Sequence, residues 1–378
     1  MAALAGRRGR VAVSVSPAAA PSGLSIPDTM RAAVLFGPRD LRVVWKPVPV
    51  PGPADVLVKV AMCGTCGTDL AIQDRPFPGQ PPFGSFTPGH EWTGVVVARG
   101  ETVDEVAVGD RVAIHVHHGC GRCRNCLNGS YTACLNYGNV AKGHRASGFT
   151  VDGGFAQYVT HHASSIYRLP DQLDWEDAVL VTTAGTAMYG IDRAGGLVAG
   201  DTVVVVGPGS VGLTTLQVVR ALGAGVTIAV GTRDERLALA TRTGADHVVN
   251  SRQTDPVARV RELTGGRGAD LVIETSGHPT TPELSLRMVR RGGSLLFLAF
   301  YDEPVNFDIG RANREEVRLV TSRGEGRTAV GRVLRLAASG AVRGADLVTH
   351  RYPLERIQEG FEALRAKAGD PIKVVFTP

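Results

Sequence analysis

The sequence predicts an α/β protein of two domains, a β-rich domain followed by a doubly wound parallel sheet. Between Met30 and Arg168, short alternating apolar runs are separated by Pro and Gly turns, which is typical of β-strands. From Thr202 onward, apolar runs alternate with segments of helical periodicity. Strands that alternate with helices pair in parallel through right-handed crossovers. The chain of 378 residues is long enough for two separate cores.

The second domain opens with Thr202–Gly207, a run with the pattern of a strand buried on both faces. Val211–Leu222 follows at helical spacing, and Gly223 ends it. The alternation continues through predicted strands at Val226–Val230, His247–Val249, Leu271–Glu274 and Ser294–Phe300, and predicted helices at Arg236–Thr243, Val257–Leu263 and Glu283–Arg290. We expect the final strand, helix and strand, in 347–378, to return to the first domain, because their aromatic residues need a partner core.

Composition excludes several classes of protein. Part of the net charge of +5 comes from arginines among residues 1–29, and no basic run with interleaved aromatics follows, so we expect no nucleic-acid partner. No stretch approaches the roughly 20 apolar residues of a membrane span. Residues 1–29 lack sustained periodicity and are predicted to form a disordered leader. All six cysteines lie between positions 63 and 134, which favours metal ligation in a reducing cytoplasm over a disulfide framework.

The clearest motif is a run of four cysteines within fifteen residues: Cys120, Cys123, Cys126 and Cys134. Four thiolates complete the tetrahedral shell of zinc and leave no open position, which predicts a structural zinc site. An iron–sulfur cluster stays open, since spacing alone does not name the metal. The nearby His115, His117 and His118 are expected to form a surface turn.

A second motif predicts a dinucleotide site. Gly207, Gly209 and Gly212 fit the pattern G-x-G-x-x-G, with Ser210 and Val211 between the last two glycines. The motif follows a buried-strand pattern and opens a helix, as dinucleotide-binding loops do. The glycines let a pyrophosphate approach backbone amides at the helix N-terminus.

The end of the next strand bears on which dinucleotide binds. A carboxylate there would hold the ribose hydroxyls of NAD, but the position is Gly231. Thr232 and Arg233 follow, and a guanidinium suits a 2′-phosphate, so NADP is favoured over NAD. The alternative is that Arg233 only begins a helix and that Asp234 serves NAD.

Further motifs carry a family resemblance: Cys66-Gly-Thr-Asp, Gly89-His-Glu, Asp152-Gly-Gly-Phe-Ala-Gln and Pro371-Ile-Lys-Val-Val. With the two motifs above, they make the chain resemble the medium-chain zinc-containing alcohol dehydrogenases, in the branch of threonine, polyol and secondary-alcohol dehydrogenases. The resemblance runs from Met30 to Pro378. It implies a GroES-like catalytic domain in 30–183, a Rossmann domain in 184–322, a return to the catalytic domain in 323–378, and a homodimer or homotetramer that acts on a small molecule.

The resemblance also implies roles for individual residues. Cys66 and His90 would bind a catalytic zinc, and Glu91 would sit beside the metal and could exchange onto it. Asp69 would orient His90, and Thr68 would bond the substrate oxygen and pass its proton. Cys63 matches no ligand position and is expected to be a packed thiol.

Two positions depart from the family pattern. Thr183 stands where a third zinc ligand is usual, and a neutral hydroxyl is a poor zinc ligand. Ala71 stands at the usual proton-relay position, so protons would leave through water or another group such as His144. We therefore expect hydride transfer between NADP(H) and a carbonyl or secondary alcohol, with the catalytic zinc an open question. The alternatives are an NADPH-dependent reductase of an activated C=C or C=N bond and a non-catalytic dinucleotide-binding protein.

Overall fold

A computed structural model of the protein describes residues 25–378. The strands are β1 (Thr29–Gly37), β2 (Asp40–Pro47), β3 (Asp55–Gly64), β4 (Glu91–Arg99), β5 (Arg111–Ile114), β6 (His117–His118), β7 (Arg145–Ala146), β8 (Tyr158–His162), β9 (Ile166–Arg168), β10 (Thr202–Val206), β11 (Val226–Gly231), β12 (His247–Asn250), β13 (Ala269–Glu274), β14 (Val289–Phe297), β15 (Arg318–Thr321), β16 (Val348–Pro353) and β17 (Lys373–Thr377). The helices are α1 (Gly67–Asp74), α2 (Arg124–Leu127), α3 (Trp175–Ala178), α4 (Val181–Arg193), α5 (Ser210–Ala221), α6 (Asp234–Arg242), α7 (Pro256–Leu263), α8 (Thr281–Met288), α9 (Ile309–Arg314), α10 (Gly326–Ala338) and α11 (Ile357–Ala366).

The half with the predicted dinucleotide motif, called the nucleotide-binding half below, is a parallel sheet in the order β12-β11-β10-β13-β14-β15. Its central strand β10 reads Thr-Val-Val-Val-Val and is buried along its whole length, as β-branched residues in a sheet covered on both faces should be. The strand order reverses beside β10, and ligands of such sheets bind at the carboxyl ends of the strands at this point.

The half with Cys66 and His90, called the catalytic half below after the role predicted for it, is built on a largely antiparallel sheet. Its strand order is β16-β17-β3-β4-β5-β9, with β8 also paired to β3. β17 comes from the end of the chain and pairs with β3, so Val375 lies opposite Gly64. Phe361 and Phe376 pack edge-on against Phe155 in the core of this half, with ring centroids 5.7 and 5.4 Å away. The last segment therefore completes the first sheet.

The predicted α/β class, a β-rich domain followed by a doubly wound sheet, is confirmed. The boundaries at 183/184 and 322/323 stay a prediction. The leader prediction lies outside the described residues up to position 24, whereas 25–29 lead into β1 and the Asp28 carbonyl accepts a hydrogen bond from Val48. Within 25–378, none of the helices is both long and apolar enough to cross a membrane.

Two predicted elements are wrong at an end. The strand expected over Ser294–Phe300 belongs to β14, which stops at Phe297. The helix expected over Glu283–Arg290 stops at Met288, and β14 already begins at Val289. Val289 is β-branched and pairs with Ala269 of β13, and this sheet pairing overrides the helical spacing of the preceding residues.

Candidate active site and cofactor cleft

The antiparallel pairing of β3 with β4 brings the first group of candidate residues together. Gly64 lies opposite Glu91 in this ladder. Cys66 follows β3 as the residue before α1, and His90 precedes β4, so both lie at the same end of the strand pair. One ligand atom from each of Cys66, His90 and Glu91 falls within 4.8 Å of the others.

His90 is oriented by two side chains of α1. Its Nδ1 lies 3.2 Å from Asp69 Oδ1, and its Nε2 lies 3.3 Å from Thr68 Oγ1. Asp69 is itself fixed, because its Oδ2 accepts a 2.7 Å hydrogen bond from the Cys66 backbone N–H. Burial disfavours the charged imidazole, but the Asp69 carboxylate outweighs burial and raises the pKa of His90 well above its usual value. Asp69 thus holds Cys66 and His90 in one arrangement.

Glu91 lies in a buried network of charges. Its Oε2 accepts a 2.5 Å bond from Lys373 Nζ, and its Oε1 accepts a 2.9 Å bond from Thr183 Oγ1. Lys373, the first residue of β17, also donates to the carbonyl of Thr65 at 2.9 Å. Lys373 and Glu91 are 1% and 3% exposed. The ammonium therefore balances the carboxylate where water cannot, and Thr183 contacts Glu91 from α4.

The donor set of this cluster fits zinc. A thiol sulfur, an imidazole nitrogen and a carboxylate oxygen are all ligands that zinc accepts, and three protein ligands leave a position open for a substrate. The Nδ1 of His90 faces Asp69, as the second ring nitrogen of a zinc-binding histidine usually faces a carboxylate, so Nε2 would be the nitrogen that binds zinc. Thr183 directs its hydroxyl at Glu91 and adds no further soft donor.

The four-cysteine run forms a compact lobe around α2. The Sγ atoms of all four cysteines lie within 4.8 Å of one another, with Cys120–Cys126 at 4.0 Å and Cys123–Cys134 at 3.9 Å. Four sulfurs bound to one zinc ion at about 2.3 Å lie about 3.8 Å apart, so the lobe fits zinc and is too open for disulfides. Backbone N–H groups, led by that of Arg122, and the Asn136 amide lower the pKa of Cys120 to about 6, which favours a thiolate.

The glycine motif lies between β10 and α5, as the pattern predicts. Gly207 has φ of +94°, a left-handed conformation that favours glycine. A Cβ on Gly212 would lie 2.1 Å from the Gly207 carbonyl oxygen, so this close packing also requires glycine. α5 begins at Ser210, and the first-turn amides of a helix have no partner inside it. The loop therefore offers backbone donors for a phosphate.

Arg233 lies immediately before α6, and its guanidinium binds the carboxylate of Asp370. Arg236 binds the same carboxylate, with Nε 2.9 Å from Oδ1 and 3.1 Å from Oδ2. Asp234 is held on another side, where its Oδ1 accepts a 2.7 Å bond from Asn250 Nδ2. Two guanidinium groups, rather than the Asp234 carboxylate, thus gather at this end of β11.

The expected surface turn of histidines is wrong. His115 and His117 are buried, and His118 is half-buried. Their short segment is covered by the 322–325 loop, in which the Glu325 carboxylate accepts a 3.1 Å bond from the Val116 N–H. The apolar residues on both sides of the histidines could have indicated this burial, because a surface turn does not explain them.

An aromatic wall extends from His90. The Phe149 ring centroid lies 4.7 Å from that of His90, and His117 also stacks on Phe149, with ring centroids 6.3 Å apart. His144 is fully buried 6.3 Å from His117, with its Nδ1 accepting a 3.2 Å bond from Gly138. Cys63 is buried and its pKa is raised, chiefly by burial, as expected for a packed thiol.

The comparisons with known proteins agree with this geometry. Residues 52–171 match the family model of the alcohol dehydrogenase GroES-like domain, and residues 210–339 match that of the zinc-binding dehydrogenase. Sorbitol dehydrogenase of Bacillus subtilis is 31% identical over 94% of this chain and 99% of its own. The chain belongs to the zinc-containing medium-chain alcohol dehydrogenase family. As a member of this family it is a dehydrogenase, and the predicted resemblance is confirmed.

Two solved structures of alcohol dehydrogenase relatives are similar along the chain. A zinc-binding dehydrogenase from Sinorhizobium meliloti, solved bound to NADP, has a TM-score of 0.83 at 30% identity, covering 93% of this chain and 100% of its own. An alcohol dehydrogenase from Escherichia coli CFT073, complexed with NADH, has a TM-score of 0.83 at 25% identity with the same coverage. Relatives of this dehydrogenase thus differ in the nicotinamide cofactor with which they were solved.

Sequence reasoning missed several residues of this dehydrogenase's site. Lys373 was read only as part of the terminal Pro-Ile-Lys-Val-Val motif, and its position beside Glu91 depends on the pairing of β17 with β3. Asp370 and Glu325 carried no local signal, because each reaches the site from a distant segment. Arg236 was noted only as the start of a helix.

Proposed function

We propose that the protein transfers a hydride between NADP(H) and a secondary alcohol or the corresponding carbonyl compound. The observation that supports this most directly is that residues 370–373, which lead into β17, contact both candidate sites. Lys373 binds Glu91 beside Cys66 and His90, and Asp370 binds the arginines beside the glycine loop. A cofactor seated on that loop and a substrate at Thr68 would therefore meet at one cleft.

When bound by Cys66, His90 and Glu91, zinc supplies Lewis-acid polarisation of the substrate oxygen, and the nicotinamide supplies or accepts the hydride. The protein's own groups position the reaction. Thr68 Oγ1, beside His90, accepts the proton of an alcohol or donates one to a carbonyl oxygen. Position 71 is alanine, so the proton passes on from Thr68 to water.

The cofactor preference rests on the end of β11. Gly231 removes the carboxylate that would hold the free ribose, and Arg233 and Arg236 place two guanidinium groups nearby. Paired guanidinium donors suit a 2′-phosphate, which supports NADP over NAD. We propose that the phosphates also meet the amides of Ser210, Val211 and Gly212.

We further propose that the four-cysteine lobe holds a structural zinc, supported by its closed tetrahedral spacing of sulfurs. The protein is expected to act in a reducing cytoplasm, where its free cysteines stay reduced, and as the homodimer or homotetramer that the family resemblance implies. Its substrate would be a small hydroxylated molecule, as the sorbitol dehydrogenase relative suggests.

A second candidate is the reduction of an activated C=C or C=N bond by NADPH. Thr183 at the usual third-ligand position favours it, because this chemistry needs no metal at Cys66 and His90.

Zinc content and substrate assays on the purified protein separate the candidates. We expect two zinc ions per chain and turnover of secondary alcohols with NADP⁺. This turnover should fall as mild chelation removes the zinc proposed at Cys66, His90 and Glu91. One zinc per chain, with turnover of enals that survives chelation, would support the second candidate instead. Failure to turn over either class while binding NADPH would favour a non-catalytic role.

A further inference from the structure

Asp370 connects the two halves of the protein at the cofactor cleft. It lies between α11 and β17, on the catalytic half, while Arg233 and Arg236 belong to the nucleotide-binding half. Both guanidinium groups bind its carboxylate, and Arg236 Nη2 also donates a 2.9 Å bond to the Pro371 carbonyl. The carboxylate of Asp370 therefore forms ion pairs with two arginines of the opposite half.

The location of this cluster relates it to the dinucleotide. Arg236 approaches the glycine loop, since a Cβ placed on Gly209 would lie 3.7 Å from its Nη1. Arg233 follows two residues after Gly231, at the carboxyl end of β11. In this type of sheet, the residue at the position of Gly231 meets the ribose that distinguishes NAD from NADP. Asp370 is thus paired with both arginines at the strand end where a 2′-phosphate would bind.

The backbone of Asp370 indicates that the carboxylate is held in place. Its φ of +48° is in the left-handed region, which a non-glycine residue adopts at a cost unless its surroundings stabilise it. The bonds from Arg233 and Arg236 provide that stabilisation. Arg236 is also mostly buried, with 15% of its side chain exposed against 31% for Asp370, so solvent screens this ion pair only in part.

We propose that Asp370 is a cofactor-specificity residue, supplied by the catalytic half, that limits how strongly the cleft prefers a 2′-phosphate over free ribose hydroxyls. The inference rests on the proposed use of a nicotinamide dinucleotide. A 2′-phosphate carries a charge of about −1.5 to −2 at neutral pH and must compete with the Asp370 carboxylate for the same guanidinium donors. A free ribose carries no such charge and is nearly indifferent to Asp370.

The test compares NADP⁺ and NAD⁺ binding to the full-length protein and to Asp370→Asn by calorimetry at low ionic strength. The asparagine keeps the size of the side chain and removes its charge. We expect the Kd for NADP⁺ to fall roughly tenfold and the Kd for NAD⁺ to change less than about twofold. In the double variant Asp370→Asn/Arg233→Ala, the gain for NADP⁺ should disappear.

Asp192→Asn is a matched control. Asp192 is as exposed as Asp370 and also binds an arginine, Arg332, but it lies on α4. An equal gain for both cofactors in Asp370→Asn, no gain for NADP⁺, or the same gain in Asp192→Asn would overturn the proposal. If the unaltered protein binds neither cofactor, the proposed function fails as well. If only Asp370→Asn shows no effect, the proposal for Asp370 fails and the proposed function stands.

Discussion

The four-cysteine lobe and the Cys66–His90–Glu91 cluster each gather metal ligands within 4.8 Å, yet the chain builds them differently. The lobe takes its ligands from fifteen consecutive residues, and three of its four cysteines are half-buried. The cluster draws on β3, β4, α4 and β17, and its Glu91–Lys373 pair is almost fully buried. A closed site can thus be encoded locally, whereas an open site depends on distant segments and on the balance of buried charge.

The largest expected effect is on kcat/KM, and it distinguishes the Cys66–His90–Glu91 cluster from the four-cysteine lobe. Replacing Cys66 with alanine should lower kcat/KM for a secondary alcohol by ~10⁴-fold, about 5 kcal/mol, because polarisation of the substrate oxygen is lost. Cys123→Ala should also remove one zinc per chain, but should leave kcat/KM within about threefold at temperatures where the protein stays folded. Steady-state kinetics with zinc analysis measure both.

The buried thiol Cys63 provides the control for this comparison. Cys63→Ala alters a cysteine three residues from Cys66 without removing a proposed ligand, so zinc content should stay unchanged. The functional distinction between the two sites would be refuted if Cys123→Ala and Cys66→Ala lost activity equally.

The second prediction concerns the buried Glu91–Lys373 ion pair, which has no counterpart in the four-cysteine lobe. Lys373→Met leaves the Glu91 carboxylate buried without its ammonium partner, and we expect a loss of about 4 kcal/mol in the free energy of unfolding. The double variant Lys373→Met/Glu91→Gln removes both charges and should recover most of that loss. Urea denaturation gives the values. A double variant no more stable than Lys373→Met would contradict the coupling.

The third prediction concerns pH. Burial raises the pKa of Glu325 from 4.5 to about 7. Between these values the folded protein binds a proton that the unfolded chain has released, so this carboxyl stabilises the fold below pH 4.5 and the contribution is lost as pH rises through about 7. The total is about 3 kcal/mol.

The test of this contribution is Glu325→Gln, which keeps an acceptor for the Val116 N–H and cannot ionise. Relative to the unaltered protein, the variant should gain stability at pH 8 and show little difference at pH 4.5. Chemical denaturation across this range measures the difference, and a difference that does not vary with pH would exclude Glu325 as its source.

The same contrast explains what the sequence could predict. The cysteine spacing, the glycine loop after β10 and the pairing of Cys66 with His90 are local patterns or family motifs, and the structure brings each set together. Lys373, Glu325 and Asp370 could not be predicted, because sheet pairing and loop docking, rather than spacing, place them.

Some local patterns also misled. The histidines after β5 were expected at the surface, but the 322–325 loop covers them, and only the apolar residues beside them indicated burial. Thr183 was assigned by register to the third-ligand position, and its hydroxyl does reach Glu91, but only the contacts show that it donates to the carboxylate.

The pairing of β17 with β3 has a consequence for how the protein is made. Lys373 and Glu91 are 282 residues apart in the chain. During translation, the first sheet therefore emerges with Glu91 unbalanced until the whole nucleotide-binding half has been synthesised. β8 already pairs with Asp55–Lys59 of β3, so only the end of β3 at Cys63 and Gly64 stays unpaired until β17 arrives. Such long-range closure slows folding and leaves an unpaired strand edge exposed to other chains. We therefore expect the Glu91–Lys373 pair to form late in folding.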